Sequence, residues 1–297
     1  MNEHDALVER AARQRRTVLL IGGLDAGKTT LARHLIVAAL AEGRTAAFLD
    51  ADLGQKTIGP PATIGLKHVR TPEQLDDPSG MAEADAVAFV GSTSEQGHLL
   101  PLVTGAAKLA ARARTEGADF LVVDTSGMVS GIYGQLVKYH KVEMLEPDLV
   151  VGLQRGEELA PLLGVIQRFF SLEVVPIGIH PDVVPTSVEQ RAEHREQAMR
   201  AYFAGSVQRF RIKPTVFMPA LPPMFDLALL DRLLVGLSDG RGAYTGIGFL
   251  EHSADDGVLR LISPVADPPK ALRLGAVRLE ENFRVKRVDL RNLFGTE

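Results

Sequence analysis

Short apolar runs punctuate the first two thirds of the chain and alternate with segments of helical periodicity. Thr17-Val18-Leu19-Leu20-Ile21 reads as a buried strand, and the T-L-A-R-H-L-I-V-A-A-L pattern of Thr30–Leu40 predicts a helix after it. Thr45-Ala46-Ala47-Phe48-Leu49 predicts a second strand, ending at Asp50-Ala51-Asp52. Further apolar runs fall at Ala86–Val90, Phe120–Val123, Leu149–Leu153 and Val174–Ile179, with helical patterns such as Leu99–Arg114 and Leu136–Leu145 between them. Strands alternating with helices imply an α/β fold with a mostly parallel sheet flanked by helices. In such sheets chemistry gathers at the carboxyl ends of the strands. The loops after Ile21, Leu49, Val90, Val123 and Ile179 are therefore the places to look.

Near residue 206 the pattern changes. Pro214, Pro219, Pro222 and Pro223 break any helix, and Gly246–Leu250 and Val258–Ile262 then read as strands. The turn-forming Asp255-Asp256-Gly257 between them predicts a hairpin, and a last strand or two is expected in Ala271–Leu279. The expected division is residues 1–205 as the main domain and 206–297 as a small β-rich C-terminal module.

Composition narrows the classes. A chain of 297 residues with 45% apolar content supports a proper core and leaves no disordered bulk. With no cysteine, there is no disulfide scaffold, thiolate metal site or cysteine nucleophile. The eight histidines are dispersed and make no metal-ligand spacing, so they read as solvated or satisfied side chains. The charged N-terminal segment has no signal-like apolar stretch, and no run is long enough to span a bilayer; no membrane and a cytoplasmic location are the expectation. A net charge of −4 argues against coating nucleic acid by bulk electrostatics, but a nucleic-acid end in a local basic pocket remains open.

The chemistry begins at Gly22-Gly23-Leu24-Asp25-Ala26-Gly27-Lys28-Thr29, a match to G-x-x-x-x-G-K-[ST] set between a strand and a helix. Backbone N–H groups of such a loop close around phosphates, Lys28 reaches the terminal phosphates, and the Thr29 hydroxyl is placed for Mg²⁺, with Thr30 beside it. This predicts a P-loop NTPase-type sheet binding a nucleoside triphosphate. Asp50 and Asp52 follow a buried strand, where a carboxylate can orient Mg²⁺ through water or take a proton from an attacking hydroxyl; a pair of solvated turn acids is the alternative. Asp124 ends an apolar run, as in a Walker B strand, and can hold the Mg²⁺ shell through water or cap a helix. In the helical segment Ser187–Phe203, Arg191 and Arg195 share a face, where they could close over phosphates or simply be solvated. Arg200 lies off that stripe, four residues after Glu196. The basic stretch Arg13–Arg16 reads as a solvated flank.

In order along the chain, these pieces resemble the polynucleotide 5′-hydroxyl kinases. That family includes the RNA kinase subunit of the eukaryotic pre-mRNA cleavage machinery, the Grc-type pre-rRNA processing kinase and archaeal relatives. The resemblance rests on Asp25 in the phosphate loop, Asp52, Gly54 and Gln55 as D-x-G-Q, and Gly91-Ser92-Thr93. It continues through Thr125-Ser126-Gly127 as T-x-G, and Arg191 and Arg195 as an R-x-x-x-R lid before Tyr202-Phe203. It implies transfer of the ATP γ-phosphate to the 5′-hydroxyl of an RNA or DNA end. By the same resemblance Lys28 and Thr29 hold ATP·Mg²⁺, Asp52 activates the hydroxyl, and Arg191 and Arg195 stabilise the moving phosphoryl group. Gln55, Ser92, Thr93, Thr125, Gly127 and Met128 fall to the acceptor. Two departures stand out. Met128 replaces the family's base-stacking Trp in a chain without tryptophan, and the first strand begins near Thr17, without the preceding domain that helps hold adenine in eukaryotic relatives. A non-catalytic ATP-binding module, a GTPase or metal-insertion ATPase and a small-molecule kinase are the alternatives; the GTPase lacks any [NT]-K-x-D motif.

Overall fold

The structure is a computed structural model that describes residues 3–75, 83–181 and 183–295. Its first seven strands are β1 (Thr17–Gly22), β2 (Ala46–Ala51), β3 (Thr63–Val69), β4 (Ala86–Phe89), β5 (Phe120–Thr125), β6 (Leu149–Gln154) and β7 (Glu173–Gly178). They lie in the order β4-β3-β2-β5-β1-β6-β7. From β2 to β7 all pairs are parallel, with β1 at the centre between β5 and β6. The loop after Gly22 therefore leaves from the middle of the sheet.

Each central strand is buried on both faces, which is why it reads as an unbroken apolar run. Val18 and Leu20 pack toward α1 (Glu3–Gln14) and α2 (Lys28–Ala41) through Leu7, Leu31, Leu35 and Ile36. Leu19 and Ile21 point the other way, toward α3 (Leu99–Thr115), α4 (Gly131–Leu145) and α5 (Ala160–Phe169). Burying such a side chain is worth about 1.5–3 kcal/mol, so these two slabs fix the strand order.

The sheet departs from a purely parallel one at β3 and β4. Strand β3 runs antiparallel to β2, with Asp50 opposite Gly65, and β4 runs antiparallel to β3. Sequence reasoning did not anticipate β3, because Gly65, Lys67 and His68 break its apolar run. Nor did it anticipate α1: the stretch read as a solvated flank belongs to that helix and its exit, with Arg13 on Glu42 and Arg15 on Glu173.

Helix α6 (Val188–Phe203) opens with a capping box, in which Ser187 accepts from the Gln190 N–H and Gln190 accepts from that of Ser187. The strands after it are β8 (Gln208–Arg211), β9 (Phe217–Met218), β10 (Leu233–Ser238), β11 (Tyr244–His252), β12 (Leu259–Ser263), β13 (Ala271–Leu279) and β14 (Val285–Arg287), before a short α7 (Leu290–Phe294). The anticipated hairpin is β11–β12, with Phe249 opposite Ile262. Strand β11 also meets β4 at Tyr244 and Val87, so the C-terminal strands continue the central sheet. Met199 and Phe203 of α6 pack with Phe89, Ile247, Phe249 and Val277. The helix is thus anchored at its C-terminal end to the β-rich part, and its N-terminal half lies over the phosphate loop.

Candidate functional site

Between β1 and α2, the phosphate loop borders a cavity of about 590 Å³ whose walls include Leu24 to Thr30, Asp52, Gln55 and Gly127. Lys28 is the first residue of α2 and nearly buried, and its Nζ donates to the carbonyls of Gly22 at 3.0 Å and Gly23 at 2.7 Å. The next residue, Thr29, donates its hydroxyl to Asp124 Oδ2 at 2.5 Å, joining the loop to the end of β5. Burial pushes the Asp124 carboxyl up to about 6, with the Lys28 charge opposing. Its other oxygen, Oδ1, is buried and makes no hydrogen bond among the described residues.

The structure separates the two acids after β2. Asp50 is buried against Lys56 at 3.1 Å and accepts from the N–H groups of Asp52, Thr57 and Ile58. All its capacity is spent on folding that loop. Asp52 is half-buried on the cavity wall and uses Oδ1 to accept from Gly54 at 2.7 Å and Gln55 at 3.1 Å. Of the two, Asp52 is the carboxylate presented to the cavity.

Thr29 and Gln55 also line a second, adjoining cavity of about 430 Å³, bounded by Gly54, Lys56, His194 and Arg195. Arg195 is half-buried there; burial lowers its pKa, the Arg191 charge adds to that, and Asp52 opposes. Arg191 instead donates to Asp25 Oδ2 at 3.2 Å, and the same oxygen accepts from Thr186 N–H. The lid pair of the sequence is therefore divided, one arginine on the phosphate loop and one over the second cavity. Arg200 pairs with Glu196 at 2.9 Å.

Three expected acceptor contacts are placed differently from the rest. The Thr125 hydroxyl is buried and donates to the Leu20 carbonyl at 2.8 Å, tying β5 to β1 and using its one donor. Ser92 is buried, and its hydroxyl accepts from Ser94 N–H within its own loop. Met128 is half-buried after Gly127 and is not part of either cavity wall. Gly127 itself fits closely: a Cβ there would lie 2.7 Å from the Leu24 nitrogen, so only glycine lets this loop rest on the phosphate loop.

Sequence reading missed a buried ionic cluster that joins these loops. Lys138 Nζ donates to the Ser126 carbonyl at 2.8 Å and its hydroxyl at 3.1 Å. Lys141 Nζ donates to the Ala51 carbonyl at 3.3 Å and to Glu95 Oε1 at 3.0 Å. Burial works against the charge on Glu95, but Lys141 and Lys138 outweigh it and hold the carboxyl at about 2; burial takes Lys138 down to about 7. Their i, i+3 spacing on α4 was the available signal. His4 and His180 were missed too: their rings meet edge-to-face at 6.1 Å and line the first cavity.

A phosphate loop springing from the central strand, a Walker B acid bonded to its threonine, and a cavity over both define a P-loop nucleotide-binding protein. The family described as mRNA cleavage and polyadenylation factor CLP1 P-loop matches residues 22–205, and the chain belongs to it. A polyribonucleotide 5′-hydroxyl-kinase of Pyrococcus horikoshii is 28% identical, with 90% of this chain and 86% of that protein covered. One of Methanocaldococcus jannaschii is 34% identical over 64% of this chain and half of its own length. The fold is that of Clp1p in the wild-type Clp1p–Pcf11p complex, at a TM-score of 0.72 and 16% identity over 93% of this chain and 77% of that one. No helix among the described residues is long and apolar enough to cross a membrane.

Proposed function

We propose that this chain is an ATP-dependent polynucleotide 5′-hydroxyl kinase. The observation that carries the reading is the pair of adjoining cavities sharing Thr29 and Gln55, one over the phosphate loop and one beneath Arg195. That arrangement suits a phosphoryl donor and an acceptor meeting at one point, with Asp52 on the wall of the first cavity next to Gln55. The relatives named polyribonucleotide 5′-hydroxyl-kinase support the choice of acceptor.

ATP lies in the first cavity with its phosphates on the N–H groups of Ala26 to Thr29, and the side near His4 and His180 takes the base. Lys28 turns from the Gly22 and Gly23 carbonyls to the terminal phosphates. The acceptor's 5′-oxygen attacks the γ-phosphorus as the bond to the β,γ-bridging oxygen breaks, and ADP leaves. Asp52 accepts the hydroxyl proton, a role worth about 10²–10⁴-fold in rate. Arg195 neutralises the charge spread over the transferring group, and Arg191 holds the lid to the loop.

Magnesium fits these residues. The Thr29 hydroxyl and the orphaned Asp124 Oδ1 form an oxygen donor set of the kind this cation takes, with Asp52 within reach through water. An ion held there by Thr29 and Asp124 would supply positive charge to the phosphates of the donor.

Incubation with γ-labelled ATP, Mg²⁺ and matched 5′-hydroxyl RNA and DNA oligomers tests the proposal. Label at the 5′ end of an oligomer is the expected result. Label only on small hydroxyl compounds would assign a small-molecule kinase instead, and label on neither would leave an ATP-binding module.

A further inference from the structure

The C-terminal strands place one more arginine against the lid helix. Strand β14 is the last strand of the sheet path, and its Arg287 lies opposite Val277 of β13. Residues directly opposite in an antiparallel pair share a face. Val277 is fully buried in the cluster containing Met199 and Phe203 of the lid helix, so Arg287 projects from the sheet face that α6 covers. Val285, two residues earlier, packs against the same cluster.

The contacts also set the register along the lid. Phe283 stacks on Phe203 at 5.8 Å, and Arg200 donates to the Asn282 carbonyl at 3.0 Å. Moving up β14 past Val285 follows the helix back past Met199 toward Arg195, one turn earlier. Arg287 is accordingly among the charges that depress the Arg195 pKa, after burial and Arg191. On its other side, β13 abuts the Gly91-Ser92-Thr93 segment. Ala276 N–H donates to the Gly91 carbonyl at 2.7 Å, and a Cβ on Gly91 would lie 2.9 Å from Gly275 Cα.

Arg195 thus borders the second cavity from the lid helix, and Arg287 faces the same helix from the C-terminal sheet. Neither has a carboxylate partner among the described residues, although elsewhere in this structure arginines such as Arg10, Arg13, Arg44 and Arg260 are paired. Asp52 offsets part of the charge on Arg195, but Arg287 has no such anion beside it among the described residues, and a ligand that brings one stabilises the group. A phosphodiester suits a guanidinium fork well, having two non-bridging oxygens and a lasting charge.

We propose that Arg287, beside the Arg195 that faces the transferring group, forms a subsite for an internucleotide phosphate of the acceptor strand, so that the C-terminal strands read the polynucleotide beyond its first nucleotide. This rests on the kinase reading above and adds to it a reason for preferring a strand over a lone nucleoside. Because Arg287 is exposed and contributes no core contact, its replacement leaves the fold in place.

The test compares parent, Arg287→Ala and Arg287→Lys on a 5′-hydroxyl decamer. For Arg287→Ala the KM for the decamer should rise about tenfold, the scale of one charge-assisted contact, with kcat and the KM for ATP unchanged. The slope of log affinity against log salt should become shallower by about 0.7, the share of one phosphate on a single strand. Arg287→Lys should recover most of the slope and part of the KM, and melting temperatures of both variants should match the parent. A parent that phosphorylates the decamer, with an Arg287→Ala variant of equal KM and equal salt slope, would overturn the subsite and leave the kinase standing. A parent that neither binds nor phosphorylates the decamer would overturn the kinase reading, and the subsite with it.

Discussion

Arg191 Nη1 lies 3.2 Å from Asp25 Oδ2, so the lid helix is tied to the phosphate loop at its one acidic residue. Both side chains are largely buried, at 16% and 13% exposure, and partial burial strengthens the pair relative to a surface ion pair. Asp25 itself sits in the left-handed region at φ 50°, which an Asp or Asn tolerates better than most residues. Asp25→Asn should keep the backbone and the Thr186 contact while losing the charge. Amide exchange over residues 187–195 should then speed up, with exchange in α2 unchanged. Equal exchange in parent and variant would show that the lid is held from its C-terminal end alone.

The two acids after β2 make opposite expectations. Asp52→Asn should bind ATP as the parent does and lose about 10²–10⁴-fold in kcat, since the amide cannot accept the hydroxyl proton. Asp50→Asn should instead cost stability, about 3–5 kcal/mol, because it leaves the buried Lys56 ammonium unpaired. Urea unfolding and turnover measured on both variants separate the roles; a stable but inactive Asp50→Asn would reverse the assignment.

Arg195→Ala should reduce kcat by about 10³-fold or more, the range of an arginine supplied to a transferring phosphoryl group, with a small effect on ATP binding. Arg195→Lys should recover little, since the charge returns without the planar fork. Arg200→Ala removes only an exposed pair with Glu196 and a contact to Asn282, so its kcat should stay within a few-fold of the parent. Steady-state kinetics on the three variants checks the ranking, and equal damage at Arg200 would contradict it.

The buried cluster under the Ser126-Gly127 loop has a pH signature. The Glu95 carboxyl titrates at about 2 in the folded chain, below its ordinary 4.5, so its contribution to stability is complete above 4.5 and is lost as pH falls toward 2. Glu95→Gln should therefore be less stable than the parent by about 3–5 kcal/mol at pH 7, with two buried lysines left facing an amide. The difference should shrink as pH falls below 4.5. Denaturant unfolding at a series of pH values measures it, and a gap that widens on acidification would show that Glu95 is not ionised in the native state.

Much of this site was legible because its residues sit where strand periodicity ends. The phosphate loop, Asp52 and Asp124 each close an apolar run, and the capping box at Ser187 marks the start of the lid. What was not legible depends on tertiary placement. Nothing local distinguishes Asp50 from Asp52, since the difference is the buried Lys56 that folds back on one of them. The spacing that puts Arg191 and Arg195 on one face says nothing of Asp25, which lies 166 residues away in the chain and captures one of them. Thr125 looked like a ligand-facing hydroxyl because its partner, the Leu20 carbonyl, belongs to a neighbouring strand. Strand β3 escaped notice because it sits where the sheet turns antiparallel and its side chains are no longer uniformly apolar.

Met128 tests how the acceptor base is held. Met128→Trp offers an indole beside Gly127, and stacking on it is worth about 1–3 kcal/mol if the acceptor base lies there. The KM for an oligonucleotide 5′ end should fall, with that for ATP little changed, once the melting temperature shows that the larger side chain is accommodated. An unmoved KM in a stable variant would place the base elsewhere.

The most direct measurement is a single turnover with enzyme in excess over a 5′-hydroxyl RNA oligomer, ATP and Mg²⁺, followed by mass analysis of the RNA and run in parallel with Asp52→Asn and with a 5′-phosphorylated oligomer. One phosphate should appear on the 5′ end with the parent, far more slowly with Asp52→Asn, and none on the blocked oligomer. An RNA left unmodified by the parent while ATP binds normally, or a phosphate added equally to the blocked oligomer, would contradict a 5′-hydroxyl kinase built on this site.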